Sequence, residues 1–150
     1  MQKSREIYKN REKNTMKETR KVAFIGFYNE KNQILLQERG YYSKYGEEWS
    51  FFGGGIESGE TPEEGFLREA KEELGLDMKK FDYKYIGDFI FEFPNRIVHR
   101  SIFLIKTDLK ETDFTVYEGA GAKYFDLDEA KKLKFANPVD KTIEIIKKYM

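Results

Sequence analysis

The segment from residue 54 to residue 76 constrains the fold of this chain more than any other. It starts in a run of glycines and continues into a stretch in which both ends of a helix are marked. Thr61 is a typical N-cap, Pro62 suits the first helical position, and Glu64 is placed to complete a capping box. Gly75 favours the left-handed backbone that ends many helices. The segment therefore predicts a loop followed by a helix with a defined start and end.

The predicted helix carries three carboxylates on one face. Glu69, Glu72 and Glu73 are spaced i, i+3 and i+4, so their side chains lie about one turn apart. Like charges at this spacing repel, whereas hard cations such as Mg²⁺ and Mn²⁺ bind oxygen ligands of this kind. The segment 54–76 holds seven acidic and two basic residues in a chain whose formal net charge is zero. We therefore expect a metal site here rather than an ordinary solvated helix.

The same segment fits the pattern G-x5-E-x7-R-E-U-x-E-E-x-G-U, in which U is an aliphatic residue. Ala70 and Leu76 occupy the U positions. The pattern resembles the signature of the Nudix hydrolases, and no signature position is missing. This resemblance implies an α+β fold, an α/β/α sandwich with a mixed central sheet. It also implies Mg²⁺- or Mn²⁺-dependent hydrolysis of nucleoside diphosphates linked to another moiety.

The resemblance implies roles for the three helix carboxylates. Glu72 and Glu73 would be the principal metal ligands. Glu69 would be a further ligand, or the group that orients or deprotonates the attacking water. The sequence does not show which glutamate is the base, nor how many metals bind.

Other positions in or next to this segment have supporting roles by the same resemblance. The Gly53 carbonyl is an additional candidate ligand, and Glu57 is a candidate ligand through water. Arg68 and Glu60 are expected to form a structural ion pair that fixes the loop on the helix, because a guanidinium can bind a carboxylate through two parallel hydrogen bonds.

Three positions outside the signature bear on mechanism and substrate. In family members similar to MutT, a Glu at the place of Glu118 approaches the metals and serves as base or ligand; the alternative is an ordinary acidic loop residue. Asn137 sits where MutT-like enzymes have an Asn that reads the purine edge, although it also suits a helix N-cap before a proline. Arg39 follows a predicted strand and is a candidate phosphate ligand or a surface charge.

The expected reaction is the conversion of a nucleoside triphosphate, including an oxidised purine such as 8-oxo-dGTP, to a nucleoside monophosphate and pyrophosphate. ADP-ribose, a dinucleoside polyphosphate or a capped RNA end would use the same metal site, and the residues that choose among them lie in variable loops. A non-catalytic nucleotide-sensing module is a further alternative. The complete set of carboxylates favours an enzyme.

Composition limits the remaining possibilities. The 150 residues are enough for one domain, which we expect over residues 21–150 behind a flexible charged leader at residues 1–20. No apolar run approaches the roughly 18 residues of a membrane span, and the sequence predicts a cytoplasmic protein. The absence of cysteine excludes disulfides, thiolate metal ligands and a cysteine nucleophile. Balanced charge argues against an extended nucleic-acid surface. Oligomeric state, including a dimer, stays open.

Alternation of apolar and polar residues predicts the other elements. Strands are expected at residues 22–28, 33–39, 83–93, 96–107 and 122–125, with a further strand entering the glycine run at residues 49–54. Helices are expected at residues 128–133 and 139–149. Strands, a central helix, more strands and a closing helix indicate an α+β sandwich rather than a regular βαβ alternation.

Overall fold

The structure is a computed structural model that describes residues 17–40, 43, 48–135 and 139–150. Within these ranges seven strands form one mixed sheet, and helices lie on both of its faces. The predicted α+β sandwich is confirmed. The elements in chain order are β1 (Glu18–Tyr28), β2 (Gln33–Glu38), β3 (Trp49–Ser50), β4 (Phe52–Gly55), α1 (Pro62–Leu74), β5 (Lys84–Phe93), β6 (Arg96–Lys106), β7 (Gly121–Asp126), α2 (Leu127–Ala130) and α3 (Asp140–Lys147).

Strand β1 is the centre of the sheet. The order along the sheet is β3-β2-β1-β6-β5, with β4 also paired to β1 and β7 paired to β2. β1 runs parallel to β6 and antiparallel to β2 and β4. The pairing of Phe24 with Gly53 and of Val22 with Gly55 places the glycine run inside the sheet. The loop that precedes α1 therefore leaves from a rigid strand.

Each face of the sheet has its own apolar core, because successive side chains of a strand point to opposite faces. On one face, Phe66, Ala70 and Leu74 of α1 pack with alternate residues of β1 such as Ile25 and Phe27. On the other face, α3 packs against residues that include Phe24 of β1. The two cores fix α1 relative to β1 and β4, which is the geometry on which the candidate site depends.

Several boundaries differ from the sequence-based expectations. β1 begins at Glu18, ahead of the expected domain boundary at residue 20, because Glu18, Thr19 and Arg20 pair with residues 96–98 of β6. The strand expected at residues 49–54 is divided into β3 and β4, which pair with different neighbours. α2 is a single turn that ends at Ala130. The long hairpin of β5 and β6 matches the expectation.

In the part of the chain that the structure describes, no helix combines the length and apolar character needed to cross a membrane.

Candidate active site

Helix α1 is capped as its sequence predicts. The Thr61 hydroxyl oxygen accepts a hydrogen bond from the Glu64 amide at 3.1 Å, and Pro62 is the first helical residue. Gly75 ends the helix with φ of 66°, and its amide donates to the carbonyls of Ala70 and Lys71. The ends of α1, and hence the direction in which its carboxylates project, are fixed by these local interactions.

Glu73 joins α1 to strand β4, which contains the glycine run. Its side chain is largely buried, with the residue 6% exposed, and its Oε2 accepts a hydrogen bond from the Gly53 amide at 3.0 Å. Burial, together with the charges of Glu69 and Glu118, raises the pKa of this carboxyl to about 8. A buried carboxylate near two others is costly unless a cation neutralises it. Glu73 is therefore a strong candidate for a metal ligand.

Glu69 lies directly against Gly54. A Cβ atom added to Gly54 would come within 2.5 Å of the Glu69 Cδ and Oε1 atoms. Only glycine at this position leaves room for the carboxylate in its observed place. Burial raises the pKa of Glu69, and the hydrogen bond from Arg68 opposes that rise.

Arg68 connects the loop to the helix through all three of its guanidinium nitrogens. Its Nε and Nη2 donate to Glu60 Oε2 and Oε1 at 2.8 and 2.9 Å, and Nη2 also donates to the Gly55 carbonyl at 2.8 Å. Nη1 donates to Glu69 Oε1 at 3.0 Å and to Glu72 Oε2 at 3.1 Å. The hydrogen bonds to Glu60 raise the pKa of Arg68 and keep it charged. Arg68 thus holds the loop and also contacts two of the proposed ligands.

The two remaining candidate ligands, Glu72 and Glu57, are more open to solvent. The Glu72 side chain is 52% exposed, and the Glu57 side chain is 68% exposed with its Oε1 3.7 Å from Arg68 Nη1. The Glu57 amide donates to Glu60 Oε1 at 2.8 Å, which shapes the loop. Both carboxylates are therefore accessible to an ion that enters from solvent.

Two residues from outside the helix approach the same place. Glu118, in the segment before β7, is exposed, and its negative charge contributes to the raised pKa of both Glu69 and Glu73. Arg39, which follows β2, has a positive charge that lowers the pKa of Glu73. The fold therefore brings Glu118 and Arg39 to the carboxylate cluster. Asn137 lies outside the described residues.

The NUDIX domain family profile matches residues 17–144. The chain belongs to the Nudix hydrolase family.

Two curated Nudix relatives match parts of the chain. An 8-oxo-dGTP diphosphatase of Proteus vulgaris is 35% identical over 83 residues, which are 53% of this chain and 72% of the relative. An RNA pyrophosphohydrolase of a Nitratiruptor species is 30% identical over 114 residues, covering 65% of this chain and 72% of the relative.

A solved structure agrees over most of the chain. The dihydroneopterin triphosphate pyrophosphohydrolase of E. coli superposes with a TM-score of 0.70 at 18% identity, covering 89% of this chain and all of that one (100%). At this identity the likeness shows a shared Nudix fold alone.

Nudix hydrolases generally use divalent metal ions, and the residues present fit such an ion. Among the residues that the structure describes, no three acidic or histidine side chains are already gathered around one metal position. Instead Arg68 holds Glu69 and Glu72, and the Gly53 amide holds Glu73. The carboxylates of Glu69, Glu72 and Glu73 nevertheless share one helix face. Burial, and then the charges of Glu69 and Glu118, raise the pKa of Glu73, and a divalent cation bound here would stabilise its ionised form.

Some residues that shape this Nudix site were not anticipated from the sequence. Gln37 is 3% exposed and touches the Glu118 segment at Gly119, while Tyr117 lies against Gly75. A glutamine directly after three apolar residues of β2 was a usable signal, because a buried polar group needs a hydrogen-bond partner. The partner itself depends on which strands become neighbours, which the local sequence does not reveal.

Proposed function

We propose that this Nudix protein is a Mg²⁺-dependent pyrophosphohydrolase that converts a nucleoside triphosphate to a nucleoside monophosphate and pyrophosphate. The observation that carries the proposal is the position of Glu73. This carboxyl is buried, bonded to the Gly53 amide and surrounded by the charges of Glu69 and Glu118. The function suits that geometry because a divalent cation can bind the clustered carboxylates and the phosphates of a substrate together and offset the negative charge of both.

The proposed metal ligands are the carboxylates of Glu69, Glu72 and Glu73, with the Gly53 carbonyl and Glu57 as additional candidates. When bound, Mg²⁺ would neutralise phosphate charge and lower the pKa of a bound water. Mn²⁺ has a similar preference for oxygen ligands and is expected to substitute.

The protein side chains supply the remaining chemistry. A water oxygen forms a bond to phosphorus, the bond to the bridging oxygen breaks, and pyrophosphate leaves. The water proton passes to a carboxylate, for which Glu69 and Glu118 are the two candidates. Arg39 is the proposed ligand of a phosphate oxygen, and its positive charge, which lowers the pKa of Glu73, supports that role.

The preferred substrate is a triphosphate, a class that includes oxidised purines such as 8-oxo-dGTP. The similarity to the Proteus vulgaris 8-oxo-dGTP diphosphatase supports this choice, together with the sequence position of Asn137. A second candidate is the 5′ end of an RNA. It is supported by the longer match, 114 residues, to the Nitratiruptor RNA pyrophosphohydrolase.

ADP-ribose and dinucleoside polyphosphates have less support as substrates, although they would use the same carboxylates. A nucleotide-sensing module without turnover is disfavoured by the complete carboxylate set. The cytoplasmic location remains a prediction from the sequence.

A substrate panel with paired variants tests the proposal. Purified protein is incubated with Mg²⁺ and nucleoside triphosphates, 8-oxo-dGTP, a 5′-triphosphorylated RNA, ADP-ribose, NADH and diadenosine polyphosphates, and products are resolved by chromatography. Glu73→Gln removes a proposed ligand. Glu64→Gln makes the same chemical change on the same helix at an exposed cap residue, where Gln also suits the capping box.

We expect wild type and Glu64→Gln to hydrolyse a nucleoside triphosphate at similar rates and Glu73→Gln to lose at least about a hundredfold in kcat. Cleavage confined to the triphosphorylated RNA would favour the second candidate. Nucleotide binding without turnover in any member of the panel would contradict the proposal and favour the sensing module.

A further inference from the structure

The segment that carries Glu118 is fixed at both ends, although its glycines suggest a mobile loop. Glu118 stands between Tyr117 and Gly119 in the connection that leads into β7. Its carboxylate is exposed but lies close enough to affect the pKa of Glu69 and Glu73. The backbone on both sides of Glu118 is attached to neighbouring elements.

The first attachment joins the segment to the end of α1. The Tyr117 amide donates a hydrogen bond to the Glu73 carbonyl at 2.9 Å. The Tyr117 ring lies over Gly75, where an added Cβ would come within 3.0 Å of the ring atom Cε2. Gly75 therefore ends the helix and, because it has no side chain, also leaves room for the Tyr117 ring.

The second attachment joins the segment to the end of β2. The Ala120 amide donates to the Glu38 carbonyl at 2.8 Å. Gly119 has φ of 149°, a conformation that residues with a side chain rarely adopt. A Cβ at Gly119 would lie 2.5 Å from Gln37 Nε2 and 2.8 Å from the Glu38 carbonyl oxygen. Any side chain at Gly119 would push the segment away from β2.

Gln37 is itself held in place. It is 3% exposed, and its Oε1 accepts a hydrogen bond from the Ser50 hydroxyl of β3 at 3.3 Å. Its amide group is therefore fixed in position next to Gly119 and leaves no room for a side chain there. The backbone on either side of Glu118 is hydrogen-bonded to a neighbouring element, one side to α1 and the other to β2.

We propose that Gly119, Gln37 and Tyr117 are positioning residues for Glu118. They hold the Glu118 carboxylate beside Glu69 and Glu73 before substrate binds, so little conformational entropy remains to be lost in the reaction. The inference rests on the proposed function, because it concerns one carboxylate of that site.

The decisive experiment combines two substitutions in a cycle. Kinetics are measured for Gly119→Ala, Glu118→Gln and the double variant, with nucleoside triphosphate and Mg²⁺. Gly119→Ala should lower kcat by roughly tenfold to a hundredfold, with a smaller change in KM, because the base or ligand is displaced. In the Glu118→Gln background the same substitution should cause almost no further loss, since the group that it displaces is already absent.

Two comparisons separate positioning from general damage. Gly121→Ala is the matched control, because a Cβ there has no atom within 4 Å, and it should retain wild-type kcat. Tyr117→Ala tests the attachment to α1 and should lower kcat. The Tyr117 side chain is 60% exposed, so this variant should fold even if Gly119→Ala does not. Tyr117→Phe keeps the ring over Gly75 and should restore kcat.

The outcomes distinguish this inference from the function itself. Two results would overturn the positioning role while turnover persists. One is a double variant in which the kcat losses of Gly119→Ala and Glu118→Gln multiply. The other is a Gly119→Ala variant with wild-type kcat. Absence of turnover in the wild-type protein would instead remove the proposed function.

Discussion

At the scale of single residues, the absence of a side chain at Gly54 makes room for Glu69. A Cβ atom in Gly54→Ala would lie within 2.6 Å of both carboxylate oxygens of Glu69, so the carboxylate must move. We expect kcat to fall by about tenfold or more, with the far-ultraviolet circular dichroism spectrum unchanged. Gly55→Ala is the control, since its Cβ would meet nothing within 4 Å. Equal kcat values for the two variants would contradict this account of Glu69.

Glu73 should make the stability of the metal-free protein depend on pH. Its pKa rises from an ordinary value of 4.5 to about 8 on folding, so between these values the folded protein binds more protons than the unfolded chain. The stability that this group contributes is fully present below about pH 4.5 and is lost as the pH rises through about 8. The slope is at most about 1.4 kcal/mol per pH unit.

Urea unfolding in EDTA between pH 5 and pH 9 measures that dependence. The free energy of unfolding of wild type should fall with pH, and Glu73→Gln should remove most of the fall because its amide does not ionise. Added Mg²⁺ should stabilise wild type at pH 8 more than the variant. Parallel pH profiles for the two proteins would show that Glu73 does not have the raised pKa.

We expect even a conservative substitution of Arg68 to impair both stability and activity. Lysine offers one ammonium group and cannot bind Glu60, the Gly55 carbonyl and the helix carboxylates together. Arg68→Lys should therefore lower both Tm and kcat. Lys71→Arg, at an exposed position of the same helix, is the control and should change neither. Calorimetry gives Tm, and a variant with wild-type Tm would mean that the loop does not need this guanidinium.

At the scale of elements, α1 is the part of the molecule that its own sequence specifies most completely. Thr61→Ala removes the hydroxyl that accepts from the Glu64 amide at 3.1 Å and should cost about 1 kcal/mol of unfolding free energy. Thr61→Ser should cost much less, because serine caps equally well. Urea denaturation of the three proteins checks this, and equal losses for alanine and serine would point to the lost methyl group instead.

The elements that were predicted well are those with local signals. Thr61, Pro62 and Gly75 define α1 without reference to the rest of the chain, and the Pro94-Asn95 turn defines the β5–β6 hairpin. The start of β1 was missed because residues 18–20 are polar and become a strand only by pairing with β6, which lies far along the chain. Long-range pairing of this kind has no local signature.

The residues of the site also differ in whether a local sequence signal predicts them. Carboxylates on one helix face follow from helical spacing, so the sequence was enough to group Glu69, Glu72 and Glu73 as candidate ligands. The hydrogen bonds from Arg68 to Glu69 and Glu72 were not anticipated, because they depend on side-chain placement. The roles of Gly119 and Gln37 require that β2 lie beside β7, which is a property of the sheet.

At the scale of the whole molecule, the sheet brings three distant parts of the chain to one place. β4 delivers the glycine run, α1 delivers the carboxylates, and the connection before β7 delivers Glu118. Each is held by direct contacts with its neighbours, as in the hydrogen bonds that the Gly53 amide donates to Glu73 and the Tyr117 amide donates to the Glu73 carbonyl. This arrangement supports a preorganised polyphosphate site.

The reaction that we propose for this site is the release of pyrophosphate from a nucleoside triphosphate by means of a divalent cation. Phosphorus NMR of the reaction in Mg²⁺ and in EDTA tests it most directly. We predict one nucleoside monophosphate and one pyrophosphate per substrate in Mg²⁺, no reaction in EDTA, and no products from Glu73→Gln. Release of orthophosphate with a nucleoside diphosphate, or equal rates in Mg²⁺ and EDTA, would contradict the account.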